Sequence, residues 1–229
     1  MKIVFMRHGE ATDNVNKIIS DQEIYWSVLT ESGIQTVLTS VKALPQSIDK
    51  IYVSPFPRTI QTAHYVSVKY PSAEVIIENR LHEIYHGKYS NKKNNEDLDN
   101  TRIKQINGDY FTRFGEYGEN KYDIEIRLCG CLKDIYNSSF NSNTIAIVAH
   151  GSIISYLKRI LCLHSPHIKT GKIEEFNEVD LKPFLKYMKK LSKIKSDETN
   201  KRVNTIEGLE INSDLKSSLI TWQKKNLII

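Results

Sequence analysis

Apolar and polar positions fall in blocks along this chain, and the blocks predict an order of elements. Short β-branched runs bounded by polar or glycine signals occupy residues 2–6, 51–54 and 144–149, the pattern of strands buried on both faces of a parallel sheet. A shorter strand is expected at 74–77, and 172–176 offers an edge strand. Between them, residues 30–44, 60–70 and 124–136 read as helices, and a helical pattern begins at Gly151. Strands alternating with helices predict an α/β fold: a three-layer sandwich with a mostly parallel central sheet, helices on both faces and right-handed crossovers.

Two segments stand outside that alternation. Residues 88–118 are polar and rich in Asn, Lys and Asp, which predicts an insertion over the sheet edge, of the kind that forms a specificity-setting lid. Towards the C-terminus, Leu181, Phe184, Leu185, Met188, Leu191 and Ile194 repeat at helical spacing. A loop is expected at 197–204 and a short closing helix at 215–222. The other face of the long helix carries Lys182, Lys186, Lys189, Lys190, Lys193 and Lys195. Residues 172–229 nevertheless hold twelve basic and nine acidic side chains, so a solvated face is expected and no nucleic-acid partner.

The chain of 229 residues reads as one domain over 1–229, with 177–229 as a divergent helical extension. No apolar run is long enough to cross a bilayer, and the chain opens on a strand rather than a signal peptide. Three cysteines, Cys129, Cys131 and Cys162, without a disulfide framework fit a cytoplasmic protein. Cys162, His164 and His167 cluster in sequence, yet without a fourth partner they are not read as a metal site.

The chemistry gathers at strand ends. Arg7-His8-Gly9-Glu10 and Ala149-His150-Gly151 each follow an apolar run, so both histidines sit just past the carboxyl end of a strand, where open α/β sheets bind ligands. Arg58, after the strand at 51–54 and a Pro-rich turn, lands at the same rim. Two histidines and two arginines suit phosphoryl transfer. A neutral imidazole is a competent nucleophile when a hydrogen bond fixes its tautomer, and guanidinium forks neutralise phosphoryl oxygens. A carboxylic acid must then protonate the leaving oxygen, and Glu83 is the candidate. The amide of Gly151, at a helix start, favours an anion. Glu10 is given no chemistry, and His82 and His86, which flank Glu83, are expected at the surface.

Taken in order, these residues resemble the histidine phosphatase superfamily, the phosphoglycerate mutase-like enzymes. Arg7-His8-Gly9-Glu10 with Asn14 looks like its signature. It is followed by Leu29-Thr30-Glu31 with Gly33 and Gln35, by Ser54 with Arg58, Thr62 and Ala63, and by Leu81 with Glu83 and Gly87. Gly118-Glu119 with Asp123 and Arg127, and Val148-Ala149-His150-Gly151, complete the series. The resemblance covers about residues 1–163 and implies the phosphoglycerate mutase-like fold. It also implies His8 as the phosphorylated nucleophile and Glu83 as the proton donor. Arg7, Arg58 and His150 would form the phosphate pocket, with Asn14 and the Gly151 amide as further donors. No metal and no cofactor are implied, the partner is a small phosphorylated substrate, and edge-strand pairing into a homodimer is open.

Two departures favour hydrolysis over mutase chemistry. Asp13 stands where the mutases resemble Trp, and Glu83 is followed by Ile84-Tyr85-His86-Gly87, which looks more like the phosphatase branch. The loop after Gly87, Lys88-Tyr89-Ser90-Asn91, departs from that branch as well. The expected activity is therefore a metal-independent phosphomonoesterase. A phosphoglycerate-type mutase is the alternative, and a phospholigand-binding protein the more distant one.

Overall fold

Lys2–Arg7 (β1) pairs in parallel with Thr144–Ala149 (β4), and this pairing determines where the chemistry lies. The computed structural model describes residues 1–21, 27–139, 142–163, 168–176 and 182–207, with Ser217 and Thr221. Lys50–Val53 (β2), Glu74–Ile77 (β3) and Ile173–Phe176 (β5) complete a five-stranded sheet in the order β3-β2-β4-β1-β5. The strands are parallel except β5, which runs antiparallel along β1 as the edge. All six positions of β4 are buried, as its central place between two parallel neighbours requires.

Side chains alternate across the sheet, and each face has its own helices. Val4, Met6, Ile51, Val53, Ala146 and Val148 form one face; they share a core with Val37 and Val41 of Glu31–Lys42 (α2) and Ala63 and Val66 of Pro57–Lys69 (α3). The opposite set, with Phe5, Ile145 and Ile147 fully buried, faces the other way. Lys121–Ser138 (α5) and Gly151–Ile160 (α6) pack together, and α6 meets β1. This is the mixed, mostly parallel α/β sandwich that the alternation predicts. Thr12–Asn16 (α1) is a single short turn after β1, and Glu96–Ile106 (α4) forms inside the polar stretch read as an insertion.

Some boundaries differ from expectation for identifiable reasons. α3 starts at Pro57, a residue suited to the first helical position because its missing N–H is not needed there. Arg58 therefore sits in the first turn of a helix, not in a turn before one. The loop expected at 197–204 is helical: Lys182–Glu207 (α7) runs through it, and Thr199 folds its hydroxyl back onto the Lys195 carbonyl at 2.9 Å. Asp, Thr and Asn lower helix propensity by only a few tenths of a kcal/mol each, too little to stop a helix already propagating. The helix expected at 215–222, and Leu181, His164 and His167, lie outside the described residues, apart from Ser217 and Thr221.

The chain divides into two compact units, Met1–Pro183 and Phe184–Ile229. The first contains the whole sheet. In the second, Lys186, Lys189, Lys190 and Lys193 of α7 are exposed. Among the described residues no helix is long and apolar enough to cross a membrane.

Candidate active site

Register brings the two histidines side by side. Arg7 pairs with Ala149 across β1 and β4, so His8 and His150 emerge together from adjacent strand ends, and the His8 amide donates to the Ala149 carbonyl at 3.1 Å. Their rings lie 5.3 Å apart at 63°. On the other side of β4, Val53 pairs with Val148, and the Ser54 amide continues that ladder onto the Val148 carbonyl. Ser54 thereby lies beside His150, and the next helix delivers Arg58 to both histidines.

Hydrogen bonding fixes each imidazole in one neutral form. His8 Nδ1 is 2.7 Å from the Gly9 carbonyl, which can only accept, so Nδ1 carries the proton and Nε2 keeps its lone pair. Arg58 Nε faces that Nε2 at 3.4 Å. For His150 the order reverses: Arg58 Nη2, which can only donate, lies 3.2 Å from Nδ1, so Nε2 carries the proton and donates to Ser54 Oγ at 2.8 Å. Burial, followed by the charge of Arg58 and then Arg7, holds His8 well below the usual imidazole range. His150 is lowered in the same way, by burial first and Arg58 next. Both are neutral near pH 7.

Arg58 is almost fully buried and held at every donor. Its Nη2 donates to the Ser20 carbonyl at 2.7 Å and its Nη1 to Ser20 Oγ at 3.1 Å. The guanidinium lies over the Phe56 ring, 5.0 Å from its centroid, and that ring packs edge-on against His150 at 5.1 Å. Buried Asp13 approaches Arg58 Nε to 3.9 Å while accepting from Ser27 Oγ at 2.6 Å. Burial lowers the Arg58 pKa, with the carboxylates of Asp13 and Glu83 opposing.

The remaining candidates converge less tightly. Arg7 donates to the Ile168 carbonyl at 3.2 Å, and burial lowers its pKa, with the carboxylates of Glu83 and then Asp13 opposing. Glu83 is half-buried and accepts the Ile84 amide on Oε1 at 2.8 Å. It follows a 3-10 turn, Asn79–Leu81, that Arg127 anchors from α5: one Arg127 nitrogen donates to the carbonyls of Arg80 and His82, and the other two clasp Glu119 at 2.8 Å each. Asn14 turns its Oδ1 back onto the Ala11 amide at 3.0 Å. Gly151 opens α6 directly after His150, and the first amides of a helix have no intrahelical acceptor.

Close packing supports the strand-end loop. A Cβ on Gly33 would lie 2.1 Å from the Glu10 carbonyl oxygen, and one on Gly9 2.8 Å from the Gly33 carbonyl oxygen. Glu10 accepts from Thr30 Oγ1 at 2.9 Å, while the same hydroxyl caps α2 by accepting from the Gly33 amide. Glu10 is thus a tether between the loop and α2. The Gly9 amide donates to Thr62 Oγ1.

One expectation is overturned. His86 is buried, with its amide at 2.6 Å and its Nδ1 at 2.8 Å from Asp21 Oδ2. Its surroundings in sequence are polar, and the partner that makes burial tolerable lies 65 residues away. His82 is half-buried, its Nδ1 donating to the Glu83 carbonyl at 2.7 Å. Asp13, Ser20, Asp21 and Ser27 also went unassigned in the sequence, where no spacing marks them. A cleft of about 560 Å³ adjoins the site, with Asp21, Phe56, His82, Tyr85 and Glu119 in its wall. Cys129 and Cys131 are buried, and burial pushes both thiols up to about 12. Among the described residues no three His, Cys, Asp or Glu side chains are grouped to hold a metal ion.

Comparison with known proteins identifies the family and the fold. Residues 3–177 match the family model of the histidine phosphatase superfamily, branch 1. A curated relative, phosphomutase-like protein 3 of Candida albicans, is 25% identical over 183 residues, 67% of this chain; the match spans only 58% of that relative's length. A mycobacterial glucosyl-3-phosphoglycerate phosphatase solved with VO3 superposes with a TM-score of 0.65 at 19% identity, over 76% of this chain and 90% of its own. A phosphoserine phosphatase from Entamoeba histolytica, in complex with phosphoserine, gives 0.62 at 24%, over 76% and 89%. At these identities the likeness establishes the fold.

Proposed function

The chain belongs to branch 1 of the histidine phosphatase superfamily, and on that premise we propose that it hydrolyses phosphomonoesters in two steps through a phosphohistidine at His8. In the first step the Nε2 lone pair forms a P–N bond as the P–O bond to the alcohol breaks, and the Glu83 carboxylic acid gives the departing oxygen its proton. In the second, water attacks phosphorus, the Glu83 carboxylate takes its proton, and the P–N electron pair returns to Nε2. Arg7 and Arg58 neutralise the phosphoryl oxygens, where preorganised charge is worth most. His150 holds one arm of the Arg58 fork, and the Gly151 amide and Asn14 supply further donors.

The observation that carries this reading is the His8 ring. Its Nδ1–H is bound to the Gly9 carbonyl at 2.7 Å, and burial between two arginines keeps it unprotonated. That is a nucleophile ready at neutral pH beside the charge its phosphorylated form requires. The charges needed are carried by side chains, so the proposed reaction runs without a metal.

The test is phosphate release from p-nitrophenyl phosphate in EDTA, with His8→Ala as control, and label trapping by alkaline denaturation, since the phosphohistidine P–N bond survives base and breaks in acid. Turnover in EDTA that His8→Ala abolishes, with base-stable and acid-labile label on the wild type alone, is the expected result. Label on His8→Ala at the wild-type level refutes the nucleophile. Release of inorganic phosphate, instead of its return to a second hydroxyl, separates hydrolysis from a phosphoglycerate-type mutase. The named substrates of the structural neighbours differ from one another, so the alcohol portion must be argued from this chain's own cleft.

A further inference from the structure

The cleft beside the phosphate cage differs from the cage in charge. It opens where Phe56 touches both His150 and Arg58, where Asp21 follows the Ser20 that holds Arg58, and where His82 precedes Glu83. With the phosphoryl group at His8, this cleft is the adjoining space offered to the alcohol. Two acidic residues, Asp21 and Glu119, line it, and among the described residues no lysine or arginine does. Glu119 is neutralised by the two-point clasp of Arg127.

Asp21 is not balanced in that way. Its side chain is withdrawn from water, and Oδ2 takes both His86 bonds. Oδ1 is buried and, among the described residues, has no hydrogen-bond partner. A buried carboxylate oxygen without a donor is costly, and the uncompensated charge of Asp21 acts on the cleft from beneath its wall. His82 adds an acceptor, because its Nδ1–H is committed to the Glu83 carbonyl and its Nε2 keeps the lone pair. Phe56 and Tyr85 supply ring surface along the same wall.

Resting on the hydrolase reading above, we infer that the cleft selects phosphomonoesters whose alcohol carries an amine or hydroxyl donor and no acidic group, with Asp21 as the discriminating residue. A carboxylate on the alcohol would meet Asp21 as a like charge in a half-enclosed space, where such pairs repel several-fold more strongly than in water. Phosphoglycerates and other acid-bearing esters are the disfavoured class. Amino-alcohol and polyol phosphates are the favoured one.

Matched pairs isolate this effect from phosphate affinity, which Asp21 also influences through Arg58. Glycerol 3-phosphate differs from 3-phosphoglycerate, and ethanolamine phosphate from phosphoserine, by the carboxylate under test. The wild type is expected to show kcat/KM on the order of tenfold or more in favour of the non-acidic member of each pair, the scale of one close like-charge contact. Asp21→Asn should shrink both ratios. Asn79→Asp, which adds a carboxylate at an exposed position of the same wall, should widen them even if Asp21→Asn folds poorly. Equal or reversed ratios in the wild type, or ratios unmoved by Asp21→Asn in a folded protein, overturn the inference while p-nitrophenyl phosphate turnover leaves the hydrolase reading standing. Loss of that turnover in the wild type instead brings down both.

Discussion

Ser54→Ala removes one oxygen and tests how the His150 tautomer is set. The Ser54 side chain is fully buried, and Oγ accepts the His150 Nε2 proton at 2.8 Å. The Ser54 main chain is bonded separately, its amide to Val148 and its carbonyl to the Thr59 hydroxyl, so the substitution leaves the backbone supported. Without Oγ, either Nε2–H stays buried and unpaired or the proton moves to Nδ1, where it meets Arg58 Nη2 at 3.2 Å, donor against donor. Leaving a buried donor unsatisfied costs about 1–3 kcal/mol. For a chain of this size that lowers Tm by about 2–12 °C. If the loss falls on the transition state because Arg58 shifts, kcat/KM drops by about 5- to 150-fold. Thermal unfolding and p-nitrophenyl phosphate kinetics on the same preparation divide the loss between the two. A variant that matches the wild type in both Tm and kcat/KM would refute the assignment of the His150 proton to Nε2.

Three further outcomes follow from the same geometry. Glu83→Gln should reduce turnover of alkyl phosphates by on the order of a hundredfold or more while sparing aryl phosphates, whose leaving groups need no proton; equal losses on both would remove Glu83 from the acid role. Gly33→Ala forces a Cβ to within 2.1 Å of the Glu10 carbonyl oxygen, so it should destabilise by about 1–3 kcal/mol and cut kcat through the displaced His8 loop, with far-UV dichroism unchanged; wild-type kcat would show that the contact is not transmitted. His8 and His150 have depressed pKa values when folded, so below about pH 6.5 the unfolded chain binds protons that the folded one does not. Stability should therefore rise with pH there, by up to about 2.7 kcal/mol per pH unit for the two groups together, and a chemical-denaturation series from pH 5 to 7 that lacks this slope would contradict neutral histidines.

Much of the sheet is legible in the sequence, because strands buried on both faces read as continuous β-branched runs; β3 and β4 match their expected bounds and β1, β2 and β5 differ at their ends by a residue. What the runs do not contain is their pairing. That His8 and His150 are neighbours follows from β1 lying against β4, a register between segments about 140 residues apart. The start of α3 is ambiguous locally, since Pro57 is as suitable in a turn as at a helix start. The burial of His86 was hidden because its partner, Asp21, is remote and lies in an irregular segment. Asp13 was visible only as a departure from the mutase pattern, and its approach to Arg58 required the fold.

Arg58 ties these separate facts into one device. A guanidinium has only donors, in a rigid plane, so every atom it faces must accept. It faces Nε2 of His8 and Nδ1 of His150, and its presence therefore disfavours a proton on either. At the far side of each ring a second group agrees: the Gly9 carbonyl takes the His8 proton, and Ser54 Oγ takes that of His150. Each imidazole is thus specified from both ends, which burial alone would not do, because burial suppresses the charge without choosing the tautomer. Lysine in place of arginine would supply charge but no plane to serve both rings. The guanidinium in turn is positioned by the first turn of α3, which follows β2, and β2 is aligned by its pairing with β4. The unprotonated lone pair on His8 is therefore a consequence of sheet register, carried to the ring by one arginine.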